Sequence, residues 1–234
     1  MGDNDTRKGL LSKKRLDEKG IIARASKELK DGQYVNLGFG MPTLLSNMLP
    51  FPDKTLILQA ETGLLNYGRM ATKEEAEEAK YKYIDGSGMA VIPLPGLCIF
   101  NMEEGFDMIR SGKVDWTILG GLQVSEKGDL ANWRSPGVLS SIGGAMDLAV
   151  GAKNVMVCMM HCTPKGEFKI VKECSFDLTA KGCVDIIVTD IAVIYVTEKG
   201  LLLREVAPGW TSEDVQTLTE PKLIISSDLK EIDL

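Results

Sequence analysis

The chain has 234 residues, 44% hydrophobic and 26% charged, enough apolar material for one buried α/β core and no signature of disorder. A net charge of −6 argues against nucleic acid as a partner, because phosphate binding needs clustered Lys and Arg. No apolar run approaches the about 20 residues that cross a bilayer, so no membrane is expected.

Residues 1–19 carry mixed charge, little periodicity and no apolar signal-peptide stretch, and read as a surface-draped or mobile arm ahead of a single domain over 20–234. From Gly20, apolar Ile21, Ile22, Ala25 and Leu29 oppose Arg24, Lys27 and Glu28, predicting an amphipathic helix that ends near Asp31-Gly32. A short strand at 34–37 runs into the loop Gly38-Phe39-Gly40-Met41-Pro42. Further apolar runs follow at 55–59, 89–92, 114–119, 154–160 and 185–189. They are mostly unbroken rather than alternating, the pattern of strands buried on both faces, so the fold class is α/β: an open, largely parallel sheet flanked by helices. Helices are predicted at 73–83, 104–110, 145–150 and 212–219, the last with Thr211 as N-cap. The runs 191–196 and 201–203 around Thr197-Glu198-Lys199-Gly200 predict a hairpin.

Glycines cluster where predicted strands end: Gly38/Gly40, Gly63/Gly68, Gly86/Gly88, Gly120/Gly121 and Gly143/Gly144. Open α/β sheets form their ligand crevice outside the carboxyl ends of the strands, and glycine there lets backbone approach a ligand, although glycines also simply make turns.

Two stretches carry candidate chemistry. In 56–65 an apolar strand runs directly into Glu61-Thr62-Gly63. A carboxylate at such a position can act as nucleophile, general base or metal ligand, or can merely bond loop amides. In 140–148 the Gly143-Gly144 pair leads into a short helix from Ala145, where backbone N–H groups suit an oxyanion, or form a plain turn. No GxGxxG or GxxxxGK[ST] occurs, so dinucleotide and kinase readings lack their fingerprints. The single histidine, His161, is followed by Cys162, but neighbours on an extended chain point to opposite faces. A Ser-His or Cys-His hydrolase dyad is therefore disfavoured. Five cysteines without a CxxC pair read as reduced thiols of a cytoplasmic protein, and no metal site is expected. Asp115 and Asp147 read as structural.

From about Arg15 to Leu229 the chain resembles the β (B-type) subunit of the two-subunit 3-oxoacid coenzyme A transferases of family I, and the C-terminal half of the single-chain succinyl-CoA:3-oxoacid form. The segments that carry the likeness include Asp31-Gly32-Gln33-Tyr34-Val35-Asn36-Leu37-Gly38, the Glu61 segment, Met108-Ile109-Arg110, Gly128-Asp129-Leu130-Ala131-Asn132-Trp133, Pro136-Gly137 and Gly143-Gly144-Ala145-Met146-Asp147-Leu148. The resemblance implies an enzyme that moves CoA between a short-chain acyl-CoA or 3-oxoacyl-CoA and a free carboxylic acid by a ping-pong route. Glu61 matches the glutamate of the family's (S/A)-E-N-G signature, the nucleophile that passes through a mixed anhydride and a glutamyl-CoA thioester. Gly144 and Ala145, with Gly143, match the oxyanion-binding turn, and Gly38, Gly40, Thr62 and Gly63 are possible cleft lining. No cofactor is implied, since coenzyme A is substrate and transient covalent adduct. The chain lacks a V-G-G-F type motif that the family keeps on its α subunit, which implies an α-subunit partner, in an α2β2 assembly. Thr62 stands in place of the signature Asn, Asn66 in place of Gly, Ser111-Gly112-Lys113 in place of Gly-Gly-His, and Met160 in place of Glu. Two other readings keep the fold: an acyl-CoA decarboxylase or hydrolase, and a non-catalytic ligand-binding module.

Overall fold

The computed structural model describes residues 2–78, 82–135, 137 and 141–234, with side chains from Arg7 onward. Residues 79–81 of the predicted helix 73–83, together with Pro136 and Ser140 of the quoted segments, lie outside the described residues.

The elements run α1 (Gly2–Leu11), α2 (Glu18–Ser26), β1 (Tyr34–Leu37), a 3₁₀ segment (Met41–Met48), β2 (Ile57–Ala60), β3 (Leu64–Met70), α3 (Lys73–Glu78), β4 (Val91–Ile99) and α4 (Met102–Arg110). They continue with β5 (Trp116–Gly120), β6 (Gln123–Ser125), β7 (Leu130–Ala131), α5 (Ala145–Gly151), β8 (Asn154–Met159), β9 (Ile170–Val171) and β10 (Ile186–Thr189). The chain closes with β11 (Ala192–Thr197), β12 (Gly200–Val206), α6 (Ser212–Thr217) and β13 (Ile224–Glu231).

Ten strands form one sheet in the order β13-β12-β11-β10-β8-β5-β1-β2-β3-β4. Its centre, β10-β8-β5-β1-β2, is wholly parallel. These are the unbroken apolar runs, and β5, β8 and β10 are buried almost throughout because helices or loops cover both faces. The flanks bring antiparallel pairing: β2–β3–β4 on one side and β10–β11–β12 on the other, the latter containing the predicted hairpin and edged by β13 parallel to β12. A small second sheet, β7-β6-β9, sits beside the main one.

The central order decides where a ligand can lie. From β1 the chain steps outward to β2, β3 and β4, then returns through α4 to place β5 on the opposite side of β1. The order therefore reverses between β1 and β5, and a crevice opens at their carboxyl ends.

Local chemistry accounts for the boundaries. Asp17 caps α2 by accepting from Gly20 N at 2.8 Å. Thr211 caps α6, with Asp214 completing a reciprocal capping box. Asn101 and Glu104 make the same box on α4, so that helix starts at Met102 rather than at the predicted 104. Asn66, at φ 66°, is the non-glycine residue with positive φ among the described residues. It occupies the left-handed conformation that glycine would take, and its Nδ2 donates to Pro95 O at 3.0 Å, so asparagine, which tolerates that region, replaces glycine without breaking β3.

The N-terminal segment carries a helix that its pattern does not predict. Residues 2–11 are helical because the segment has something to pack on. Leu10 reaches the core, Arg15 pairs with buried Asp190 at 2.8 Å, Lys13 pairs with Asp214, and Lys14 O accepts from Trp210 Nε1 at 2.7 Å. Those partners lie about two hundred residues downstream, so the arm's own periodicity did not reveal them.

Candidate active site

Glu61 leaves the end of β2 at the first position of the tight turn that leads into antiparallel β3, with Gly63 N donating to Ala60 O at 3.0 Å. Gly63 holds φ 122° and lies so close to Phe100 O that no side chain would fit there. On the other side of the turn Gly105 of α4 packs directly on the Glu61 carbonyl, where a Cβ would collide. The turn is thus clamped between β4's end and α4, and the half-buried Glu61 side chain projects into the crevice.

A cavity of about 360 Å³ occupies that crevice, within the size range of small-molecule sites. The end of β1 supplies Leu37, Gly38 and Phe39, the end of β5 supplies Leu119 and Gly120, and the start of α5 supplies Gly143, Gly144 and Ala145. Glu61 and Gly86 face each other, and Asn132 and Trp133 close one wall. That wall is braced: Thr179 Oγ1 donates to Asn132 Oδ1 at 2.6 Å, and Trp133 Nε1 donates to Leu178 O at 3.3 Å. Phe39 is 80% exposed at the mouth.

The carboxylate is held on one side only. Asn36 Nδ2, from β1, donates to Glu61 Oε2 at 3.0 Å, and no described residue is hydrogen-bonded to Oε1. Gly86 lies against the carboxylate end, since a Cβ there would sit 2.8 Å from both oxygens. Gly86 is presented by a built turn in which Asp85 Oδ1 accepts from Ser87 N (2.9 Å), Ser87 Oγ (2.7 Å) and Met89 N (2.9 Å). Burial, with Asp85 and then Glu61 nearby, raises the Tyr67 phenol and keeps it protonated.

The sequence-predicted residues divide into two groups. Glu61, Gly38, Gly143, Gly144 and Ala145 come together around the cavity. Gly40, Thr62 and Gly63 do not line it. Gly40, at φ 89°, precedes the 3₁₀ segment and its carbonyl accepts from Thr43 Oγ1 at 2.7 Å. Thr62 Oγ1 donates to Ile84 O at 3.4 Å, tethering the Glu61 turn to the loop that carries Gly86.

The three amides of the glycine turn are also not equivalent. Ala145 N donates to Ile142 O at 3.2 Å, and Gly143 N to Ser141 Oγ at 3.3 Å. Gly144 N is bonded to no described residue. A Cβ on Gly144 would come within 2.9 Å of Phe106 and 3.8 Å of Glu61 Cγ. Among the described residues Gly144 is thus the amide of this turn without a partner, in a residue that packs beside Glu61.

Sequence reading gave no site role to Asn36 or Gln59, and named Gly86 only as one of the glycines at strand ends. The signal was present: Asn36 and Gln59 are polar residues one position before the ends of otherwise largely apolar strands, and both are buried.

His161 lies away from this cavity. It is fully buried, with Nδ1 3.0 Å from Thr189 Oγ1 and Nε2 2.9 Å from Thr219 Oγ1. Burial depresses its pKa from 6.5 to about 4, so the ring is neutral at physiological pH. Because the folded state resists protonation, its stabilising contribution is complete above pH 6.5 and is lost as pH falls from 6.5 to about 4, a swing of about 3 kcal/mol. Urea unfolding across that range should show the decline in the natural chain and a smaller one in a His161→Gln variant. Asp115, which accepts from Tyr34 N at 2.9 Å and pairs with Lys153, and Asp147, which pairs with Arg110, are structural as read. Among the described residues no three His, Cys, Asp or Glu side chains gather into a metal-holding group, and no helix is long and apolar enough to cross a membrane.

Residues 19–217 match the family model described as coenzyme A transferase. The chain is 42% identical over 201 residues to the B-type subunit of the succinyl-CoA:3-ketoacid coenzyme A transferase of Helicobacter pylori, covering 86% of this chain and 95% of that one. The chain belongs to the coenzyme A transferase family. The expected enzyme class, CoA transfer, is thereby met. This transferase is also 41% identical over 216 residues to the B-type subunit of the 3-oxoadipate CoA-transferase of Acinetobacter baylyi, covering 92% of this chain and 98% of that one. In fold it is similar to a crystal structure of an acyl-CoA transferase from Escherichia coli O157:H7, with a TM-score of 0.74 at 22% identity. That likeness covers 93% of the transferase but 43% of the longer chain.

Proposed function

We propose that this chain is the catalytic β subunit of a CoA transferase acting between a short-chain 3-oxoacyl-CoA and a free carboxylic acid, with Glu61 as nucleophile. The observation that carries the reading is the placement of Glu61: an ionisable carboxylate at the switch point of the sheet, with one oxygen held by Asn36 and the other, like the nearby Gly144 amide, without a partner among the described residues. Two relatives that are B-type subunits of transferases named for 3-keto or 3-oxo acids support the subunit and the acid class.

Glu61 Oε1 adds to the thioester carbonyl of acyl-CoA, and the Gly144 N–H stabilises the oxyanion that develops on the substrate oxygen. CoA thiolate leaves, giving a mixed anhydride. The thiolate then attacks Glu61 Cδ, releases the donor acid and forms a glutamyl-CoA thioester. The acceptor carboxylate reverses these steps. An anionic nucleophile needs no partner base, which agrees with a histidine buried elsewhere. No cofactor takes part beyond CoA itself, substrate and transient adduct. An α subunit completes the cleft in an α2β2 assembly, and the five free thiols fit a cytoplasmic setting.

The test is to co-express the chain with its α subunit, incubate with acetoacetyl-CoA and trap with hydroxylamine or borohydride. The modification should map to Glu61 by peptide mass. An enzyme that turns over while Glu61 stays unmodified would overturn the reading.

A further inference from the structure

Beneath the carboxylate lies a relay of buried amides that the nucleophile alone does not explain. Gln59 Nε2 donates to Gly105 O at 3.1 Å. Its Oε1 faces Asn36 Nδ2 at 2.8 Å, and the same Nδ2 lies 3.1 Å from Gln59 O and 3.0 Å from Glu61 Oε2. All three neighbours of Asn36 Nδ2 are acceptors, so reversing the amide would set oxygen against oxygen. The orientation is thus determined, and it has a cost: Asn36 Oδ1 is buried with no partner among the described residues. Both side chains are almost wholly buried, Asn36 at 0% and Gln59 at 1% exposure. The same orientation that leaves the carbonyl unpaired points the N–H₂ end at Glu61.

We infer that Asn36 is a catalytic residue of the transfer, the oxyanion donor for additions to the Glu61 carbonyl carbon itself. The inference rests on the reading of Glu61 as nucleophile and extends it. Two of the four additions in a turnover occur at Glu61 Cδ rather than at substrate. In the first, CoA thiolate forms a C–S bond to Cδ of the anhydride, the carbonyl pair moves onto Oε2, and collapse expels the donor carboxylate with the bridging oxygen. In the second, an oxygen of the acceptor carboxylate bonds to Cδ of the thioester, the pair again moves onto Oε2, and CoA thiolate departs. No proton is gained or lost in either. Charge develops on Oε2, the atom that Asn36 Nδ2 already contacts, and the Gln59–Gly105 bond keeps that donor from turning away. Gly144 serves the two additions at substrate carbon and Asn36 the two at Cδ.

The experiment uses the assembled α and β subunits. The glutamyl-CoA adduct is accumulated with acyl-CoA, freed of ligand by gel filtration and mixed with acceptor acid or hydroxylamine, and its loss is followed by intact mass. In Asn36→Ala the adduct is expected to decay about 10²- to 10³-fold more slowly than in the natural enzyme, with acyl-CoA binding unchanged. Decay at the natural rate would overturn the assignment while leaving Glu61 as nucleophile, whereas failure of the natural enzyme to form any adduct on Glu61 overturns both. Should Asn36→Ala not fold, the carbonyl stretch of the natural adduct, isotopically edited with ¹³C at glutamate Cδ, answers the same question. A band shifted to lower wavenumber than a free thioester in an apolar solvent supports the donor, and an unshifted band overturns it.

Discussion

Glu61→Gln is expected to lower CoA transfer by at least about 10⁴-fold, because the amide keeps the shape and the Asn36 contact but cannot form the anhydride. The variant should fold normally, since glutamine Oε1 can accept the Asn36 N–H in place of the carboxylate oxygen. Glu61→Asp should retain the chemistry with the carboxylate withdrawn by one methylene. A displacement of about 1 Å from the attack position costs on the order of 10²-fold. The ordering of natural enzyme, Asp variant and Gln variant in kcat/KM, measured with acetoacetyl-CoA and succinate, separates a nucleophile from a residue that only shapes the turn. A structural glutamate would lose thermal stability in the Gln variant before it lost rate, and rates of the Asp and Gln variants would be similar.

Gly86→Ala is expected to reduce kcat about 10²-fold while changing the unfolding free energy by less than about 1 kcal/mol. Gly86 is not among the glycines with positive φ, so its backbone accepts alanine without strain. The added methyl would stand 2.8 Å from both Glu61 oxygens, where something must shift, and the mobile partner is the carboxylate. It would turn away from Asn36 and from the cavity. Steady-state kinetics paired with a melting curve decide the outcome: near-natural kcat would mean that the space beside the carboxylate is not used, and a large stability loss with proportionate inactivation would mean that Gly86 serves the fold alone.

Both variants depend on contacts among segments remote in the chain, and that marks the boundary of what could be read without a structure. The central strands were legible because burial on both faces leaves an unbroken apolar run, and 34–37, 154–160 and 185–189 needed at most small trimming at their ends. Glu61 was legible as an acidic residue at a strand end. Its chemistry came from the likeness of the whole chain to a family, since the residues alone favoured a loop-bonding carboxylate. Strand β3 was not foreseen: Asn66, Gly68 and Arg69 interrupt its pattern, and only pairing with β2 and β4 makes it a strand. The N-terminal helix was missed for the same reason, because Asp190, Trp210 and Asp214 supply its docking surface.

Within the site the division is sharper. Composition and strand pattern put a carboxylate and several glycines at the carboxyl end of a parallel sheet. They did not say that Gly143 and Ala145 have their amides already bonded while Gly144 has no partner among the described residues, nor that Gly40, Thr62 and Gly63 turn to supporting roles. Nor did they pair Asn36 with Glu61, 25 positions apart. Periodicity reports which face of a strand is buried; hydrogen-bond partners across neighbouring strands depend on register and strand order, which one segment's pattern does not contain. The proposed nucleophile was thus written into the chain at one position, while the donors proposed to act on it exist only once β1, β2, α4 and α5 have come together.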